Sequence, residues 1–161
     1  MKKSKIDNVF QFVRLNELDS VESEINSFNV NEFINDFGEN LLQEAIAFEA
    51  IDIVRFLLNC QIDINHSDQN GKTPLHFSAA HNDFESTKLL LGDKLIEINK
   101  NDKYGNNPLW VAVFNARGYY NIVKLLKEFG ADPNSRNNNN KSPLDFAKQI
   151  GDDEMIKILT S

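Results

Sequence analysis

The chain has 161 residues, a formal net charge of -7 and a pI near 4.9, with 41% hydrophobic and 25% charged residues. This length suits one domain with a sizeable core. The acidic balance argues against nucleic acid as a partner, because Lys and Arg must displace the counterions of a phosphate backbone. The single cysteine, Cys60, excludes an intramolecular disulfide, and no stretch approaches the roughly 18 apolar residues of a membrane span.

The N-terminal segment, residues 1–36, opens with lysines that no apolar run follows. A secretory signal needs such a run, so we expect the chain to work in the cytoplasm without contact with a membrane. Within this segment, Asn29-Val30-Asn31 is similar to Asp63-Ile64-Asn65 further along the chain. We therefore expect residues 1–36 to form a diverged copy of the unit that follows.

Four later segments share one pattern. They begin at Gly38, Gly71, Gly105 and Asn140, so that successive starts are 33, 34 and 35 residues apart. A period near 33 residues indicates a repeat architecture, in which a single unit cannot bury its apolar face and must stack on its neighbours.

Each repeat predicts two short helices followed by a polar connection. In the last three repeats the first helix would begin at a proline, whose missing N–H has no partner in the first turn anyway. The residue before that proline is Thr73, Asn107 or Ser142, and each of these types caps helices. The second helix is amphipathic at a 3.6-residue period, and the Asn-rich connections favour tight turns.

The motifs of these repeats resemble those of the ankyrin-repeat family. Thr73-Pro74-Leu75-His76 matches the family's most characteristic tetrapeptide in full, and Gly130-Ala131-Asp132 followed by Asn134 matches its second signature. The resemblance implies an all-α repeat solenoid of stacked helix pairs with projecting β-hairpin fingers. It implies a single domain over 1–161, with a cap unit at 1–36, repeats at 37–69, 70–103 and 104–138, and a C-terminal cap repeat at 139–161.

The 104–138 repeat departs from this pattern in two places. Trp110 replaces the motif His and Asn107 replaces the motif Thr, so the Thr–His tie of the family is lost there. Ala116 and Arg117 form an insertion just before Gly118. Insertions in a solenoid map to exposed loops, and this one belongs either to the working face or to neutral loop variation.

The sequence offers little for catalysis. His76 belongs to the structural motif, and His81 lies five residues on, a spacing that does not place two ligands on one helical face. His66 falls in a loop, and Cys60 ends a second helix, where a small half-buried side chain is expected rather than a nucleophile. Because motifs for phosphate, dinucleotide or zinc binding are also missing, we expect no enzyme activity, no cofactor and no metal site.

The family resemblance places partner contacts on the fingertips and on the exposed side of the first helices, which together form a curved surface. Aromatic residues at such positions favour a protein partner, because Tyr and Trp often anchor interfaces. The alternative is that Phe48, Phe114 and Tyr120 fill space between units. The predicted partner-binding residues are Asp36, Phe37, Glu39, Phe48, Gln69, Asn70, Lys72, His81, Lys103, Tyr104, Asn106, Trp110, Phe114, Asn115, Arg117 and Tyr119.

The resemblance implies a non-catalytic protein-protein interaction module, monomeric or in a 1:1 complex. Small stand-alone bacterial ankyrin proteins often resemble immunity proteins, so the most specific expectation is an inhibitor of a cognate toxin or enzyme. A host-directed effector or an intracellular regulator is the alternative. The acidic chain favours a basic toxin, steered by a negative patch. That patch would comprise Asp36, Glu39, Glu44 and Glu49.

Overall fold

The structure, a computed structural model, describes residues 3–161. Ten α-helices and one 3₁₀ turn account for the helical structure in that range, and each segment predicted as a unit contains two of the helices. The helices are α1 (Lys3–Arg14), α2 (Leu18–Glu24), α3 (Leu41–Ala47), α4 (Ile51–Asn59), α5 (Pro74–His81), α6 (Phe84–Leu91), α7 (Pro108–Asn115), α8 (Asn121–Glu128), α9 (Pro143–Ile150) and α10 (Asp153–Thr160), and the 3₁₀ turn is Val30–Glu32.

The helices form two layers of stacked pairs, which we number units 1 to 5. The first helices stack in the order α1, α3, α5, α7 and α9, and the second helices stack in the order α2, α4, α6, α8 and α10. The two helices of each unit also pack together. This arrangement confirms the expected all-α repeat solenoid, and it makes the diverged N-terminal segment a complete helix pair.

The first helices of units 3 to 5 begin at the predicted prolines. The side chains of Asn107 and Ser142 accept the backbone N–H groups of Trp110 and Asp145, three residues on. In unit 3 the cap position is held by Thr73, which forms a capping box. The helix starts predicted from the caps are therefore confirmed, because these bonds are local to each motif.

Each finger between units is a tight turn built on one Asp or Asn. The carboxylate of Asp68 accepts the backbone N–H groups of Asn70 and Lys72, both at 2.8 Å. The same two bonds recur with the acceptors Asn35, Asp102 and Asn137. Over residues 3–161 the only β pairing is an isolated antiparallel bridge between Ile34 and Asn40, so the fingers are reduced to their turns.

Consecutive fingers touch through their backbones. One of these contacts joins units 4 and 5, where the N–H of Asn138 donates to the carbonyl of Tyr104 at 2.9 Å. Gly105 lies at this contact with a φ of 77°, and a Cβ placed on it would lie 2.8 Å from the backbone nitrogen of Asn138. The matching residue of the last finger is Asn140, at a φ of 57°. Among the described residues no finger follows it, so a Cβ is tolerated there.

A single apolar spine runs between the two layers. Buried side chains from all five units contribute to it, and the last unit supplies Ala147, Met155 and Leu159. Because each unit completes the burial of its neighbours, the fingers and the outer side of the first helices are left to face solvent.

Candidate functional site

The fingertips and the solvent-facing positions of the first helices form one surface, which we call the inner face. None of the sixteen residues predicted to bind a partner is buried. Ten of them are exposed, and the six that are half-buried are Glu39, Asn70, Lys72, Asn106, Trp110 and Asn115. Their contribution to binding remains a prediction.

Three aromatic rings meet on the inner face between units 4 and 5. Trp110 stacks on Phe114 with ring centroids 5.3 Å apart, and Phe146 of α9 lies 5.6 Å from Trp110 and 5.5 Å from Phe114. Phe114 is 56% exposed, while the other two rings are half-buried. We call these three residues the aromatic triad. It joins two units and still presents apolar surface to solvent.

Trp110 also changes how units 4 and 5 are joined. At the same position of α5, His76 contacts the carbonyl of Asn106 in the next unit at 3.0 Å. The buried Nε1 of Trp110 has no hydrogen-bond partner among the described residues. The side-chain amide of Asn107 donates to the carbonyl of Asp132 at 3.1 Å, a bond within unit 4 that Asn40 also makes to Asp63 within unit 2. Thus the predicted loss of the Thr–His tie is accompanied by aromatic packing between units 4 and 5.

Further aromatic side chains are exposed along the same face. Phe37 is 67% exposed in its finger, Phe48 is 50% exposed at the end of α3, and Tyr104 is 54% exposed. The Nζ of Lys103 lies 5.1 Å from the Tyr104 ring centroid and also bonds to the side chain of Asn70. Phe48 and Phe114 are thus about half exposed, and Phe114 also packs against Phe146 of the next unit, so both readings of these side chains stay predictions.

Several predicted residues have structural contacts between fingers. The amide of Gln69 donates to the carbonyl of Asp36 at 2.8 Å, and the side-chain oxygen of Asn106 accepts from Asn137 at 2.8 Å. Asn115 bonds back to Val111 within its own helix. These three polar side chains already make hydrogen bonds within the fold. The exposed aromatic side chains therefore offer more surface for a partner to bury.

Two of the four carboxylates in the predicted negative patch on units 1 and 2 form ion pairs. Asp36 pairs with Lys3 at 2.7 Å, and Glu44 pairs with Arg14. Glu44 is only 4% exposed, and burial raises the pKa of its carboxyl group although the bond to Arg14 opposes this. The expectation that Glu44 belongs to an exposed acidic surface is wrong, because α1 covers it.

Units 4 and 5 present cations on the same face. Lys103 and Lys141 lie in the fingers, and Arg117 follows α7; all three are exposed, and none forms an ion pair among residues 3–161. Arg136 is paired with Asp145 at 2.9 Å. Lys141 lies in the last finger, whose position the repeat pattern predicts, but it is not among the sixteen predicted partner-binding residues.

The insertion after α7 forms an exposed turn. Ala116 is buried at the end of the helix, whereas Arg117 adopts a φ of 45° and Tyr119 is 69% exposed. Tyr120 is half-buried, and its hydroxyl donates to the carboxylate of Asp152 at 3.1 Å. The expectation that Tyr120 packs between units is thus confirmed, and of the two inserted residues only Arg117 is exposed.

The histidines and the cysteine do not converge on a reactive site. His76 is buried in its capping box, and burial lowers its pKa. His81 is exposed beside Glu49 and Glu85, and burial raises the pKa of the Cys60 thiol, which disfavours the nucleophilic thiolate. Within residues 3–161 no group of three His, Cys, Asp or Glu side chains is arranged to hold a metal ion. The same range contains no helix with the length and apolar character to cross a bilayer.

Sequence reasoning missed Phe146, the third member of the aromatic triad. An apolar residue is ordinary at this position, which is occupied by Phe77 in α5 and by Val111 in α7. The available signal was Trp110, since an indole in place of the smaller motif His needs a neighbour on the next first helix to cover it. Reading across neighbouring helices at this height would have found Phe146.

The sequence model of a family described as ankyrin repeats matches three overlapping parts of the chain, residues 9–102, 42–137 and 94–161. Several proteins with this repeat are similar to it. An ANK repeat-containing protein, nipk-1, of Caenorhabditis elegans is 36% identical over 108 residues, which are 61% of this chain and 17% of the relative. A putative ankyrin repeat protein of Borreliella burgdorferi is 28% identical over 146 residues, which are 88% of this chain and 64% of the relative.

Alpha-latrotoxin-Lg1a of Latrodectus geometricus is 30% identical over 115 residues, which are 69% of this chain and 8% of the toxin. The chain therefore spans less than two thirds of the length of each of these relatives, from 8% to 64%. What is shared is the repeat itself.

Proposed function

The chain belongs to the ankyrin-repeat family, and on this premise we propose that it binds another protein through its inner face without catalysing a reaction. Ankyrin repeats are a non-catalytic protein-interaction fold. The observation that carries the proposal for this surface is the exposure of large aromatic side chains where the core does not need them. Such residues anchor interfaces when a partner desolvates them.

The most specific form of the proposal is an inhibitor, or immunity protein, that covers the working surface of a cognate toxin or enzyme in the cytoplasm, as a monomer in a 1:1 complex. An exposed aromatic face suits this role, because aromatic side chains have few rotatable bonds to immobilise on binding. A host-directed effector or an intracellular regulator would use the same surface. These alternatives differ from the inhibitor in the identity of the protein that is bound. The ion pairs of Asp36 and Glu44 reduce the negative charge that units 1 and 2 could offer to a basic partner.

Affinity capture from a native extract tests the general proposal. The double variant Tyr104→Ala/Phe114→Ala should lose partners that the unchanged chain retains, because both side chains are more than half exposed on the inner face. A matched control is Phe28→Ala/Leu95→Ala, which removes side chains that are 94% and 76% exposed in the loops after second helices. Equal capture by both variants and by the unchanged chain would contradict the inner face as the binding surface.

The inhibitor form needs a functional readout. A captured toxin or enzyme should be inhibited when the purified chain is added at equimolar amount, and the Tyr104→Ala/Phe114→Ala variant should fail to inhibit it. If the captured protein keeps full activity in the complex, the inhibitor form is wrong and the regulator alternative gains support.

A further inference from the structure

Apolar and cationic side chains occur together on the inner face of units 4 and 5. The aromatic triad lies between α7 and α9, and Phe114 contributes a ring that is 56% exposed. Next to it in the chain, the finger before α7 carries Tyr104 with Lys103 above its ring. An exposed apolar cluster bordered by charge is typical of a protein-binding site rather than of a solvated surface.

Three cations are placed around this cluster. Lys103 and Lys141 are in the fingers that precede α7 and α9, and Arg117 is at the opposite end of α7. We call these three residues the basic rim. Because the rim occupies both ends of the helix that carries Trp110 and Phe114, a segment lying along the triad passes close to positive charge on either side.

The carboxylates of the same region do not neutralise the basic rim. Residues 102–117 and 136–150 contain five Lys or Arg and two Asp. Asp102 is buried and accepts the backbone N–H groups of Tyr104 and Asn106. Asp145 accepts the backbone N–H of Ser142 and pairs with Arg136, and the bond to Ser142 lowers the pKa of that carboxyl group. The rim is therefore an excess of positive charge in a chain whose net charge is -7.

From this charge distribution we infer that the inner face of units 4 and 5 binds an acidic, apolar segment of the partner protein. The segment carries one or two large apolar side chains for the triad, flanked by Asp or Glu side chains that pair with the rim. This inference rests on the proposed function and specifies the chemistry of its partner. It is opposite in sign to a basic partner chosen from the net charge alone, because local charge steers contact within a Debye length.

A random peptide library displayed on phage supplies an unbiased probe. The unchanged chain is immobilised, and peptides that also bind the Phe114→Ala/Phe146→Ala variant are removed by counter-selection. The retained sequences should be enriched in Asp and Glu around aromatic or aliphatic residues, relative to the input library. A synthetic peptide from that pool then serves for affinity measurement by fluorescence anisotropy.

Charge reversal tests the basic rim directly. Arg117→Glu/Lys141→Glu should weaken binding of the selected peptide by about tenfold at an ionic strength of about 50 mM, and the loss should shrink at higher salt. The matched control is Lys88→Glu/Lys124→Glu, which makes the same change in net charge on the exposed surface of α6 and α8. That control should change the affinity less than about twofold.

The outcomes separate this inference from the proposed function. Retained peptides with a neutral or positive mean charge would overturn the acidic segment while leaving protein binding through the triad intact. Equal effects of the rim and control reversals, or failure to enrich any peptide, would also overturn the inference. The proposed function itself is judged by loss of partner capture in Tyr104→Ala/Phe114→Ala, a measurement that does not depend on peptide charge.

Discussion

His76 is buried between units 3 and 4 and uses both nitrogens of its ring. Its Nδ1 accepts the backbone N–H of Thr73 at 3.1 Å, which leaves Nε2 to donate to the carbonyl of Asn106 at 3.0 Å. Burial lowers the pKa of the ring, and a proton on Nδ1 would remove the acceptor that Thr73 needs. The neutral ring is therefore the form that joins the two units.

Replacing His76 with Gln should keep the hydrogen bonds to Thr73 and Asn106 and remove the pH dependence that the ring gives to the stability of the chain. Gln43 already serves in unit 2, accepting from the N–H of Asn40 at 2.8 Å and donating to the carbonyl of Lys72 at 2.7 Å. The folded pKa of His76 lies below its unfolded value of about 6.5, so the unfolded chain takes up the proton first. The free energy of unfolding should thus fall as the pH drops below about 6.5 in the unchanged chain, and fall less in His76→Gln.

Urea unfolding at a series of pH values between about 7 and 5 measures this difference. His81→Gln is the matched control, because it makes the same substitution at an exposed histidine of α5. An identical slope for His76→Gln and the unchanged chain would show that the ring is not the group responsible.

Alanine substitutions at two glycines can separate two causes of lost stability, a strained backbone conformation and a steric contact with a neighbouring finger. Gly105 and Gly130 have φ values of 77° and 89°, but only Gly105 would bring a Cβ against a neighbour, the backbone of Asn138. Gly130→Ala should cost about 1 kcal/mol, since an L-residue is strained at positive φ. Gly105→Ala should cost more than Gly130→Ala because a finger must also move. Thermal unfolding of the two variants compares them, and equal losses of stability would mean that the finger contact yields freely.

At the scale of the elements, an asparagine after the second helix of units 1, 2 and 3 ties one loop to the next. The amide oxygen of Asn65 accepts the N–H of Glu97 at 2.9 Å, and its nitrogen donates to the carbonyl of Leu95 at 2.7 Å. Asn31 and Asn99 make the matching pair of bonds to their following units. The similarity of the Asn29-Val30-Asn31 and Asp63-Ile64-Asn65 triplets thus has a physical basis in this link.

Asn65→Ala should destabilise the chain by about 1–2 kcal/mol, because two hydrogen bonds are lost and their backbone partners turn to solvent. Asn134 occupies the same position in unit 4 and is exposed, with no side-chain hydrogen bond among residues 3–161. Asn134→Ala should therefore change stability by less than about 0.5 kcal/mol. Urea unfolding of both variants makes the comparison, and a loss as large for Asn134→Ala would refute the linking role.

The helices could be predicted because the residues that start and stop them are close together in the sequence. Parts of the candidate site could not be predicted, because they depend on contacts between side chains of different units. The helices that begin at Pro74, Pro108 and Pro143 follow from caps and periodicity within a few residues of sequence. Phe146 was missed because its contact with Trp110 requires knowing which side chains of two stacked helices lie at the same height. Burial of Glu44 could not be anticipated either, since its partner Arg14 belongs to the one unit that lacks the motif.

At the scale of the whole molecule, the stack is close to one-dimensional. Each helix makes its main contacts with its partner in the unit and with the matching helices of the adjacent units. Stability is then a sum of unit terms and neighbour terms, so end units open more readily than central ones. This also bears on binding, because units 4 and 5 present the aromatic triad and the basic rim at an end of the described stack.

Two core leucines test whether units open separately. Leu159 in α10 and Leu75 in α5 are 1% and 0% exposed, and truncation of either to Ala should cost about 2–5 kcal/mol of local packing. Leu159→Ala should speed amide hydrogen exchange mainly in α9 and α10, because within residues 3–161 unit 5 packs against one neighbouring unit. Leu75→Ala should speed exchange in units on both sides of α5, since the central unit joins them. Mass spectrometry of exchanged peptic fragments measures each helix, and the same increase throughout the chain for both variants would indicate all-or-none opening of a single cooperative unit instead.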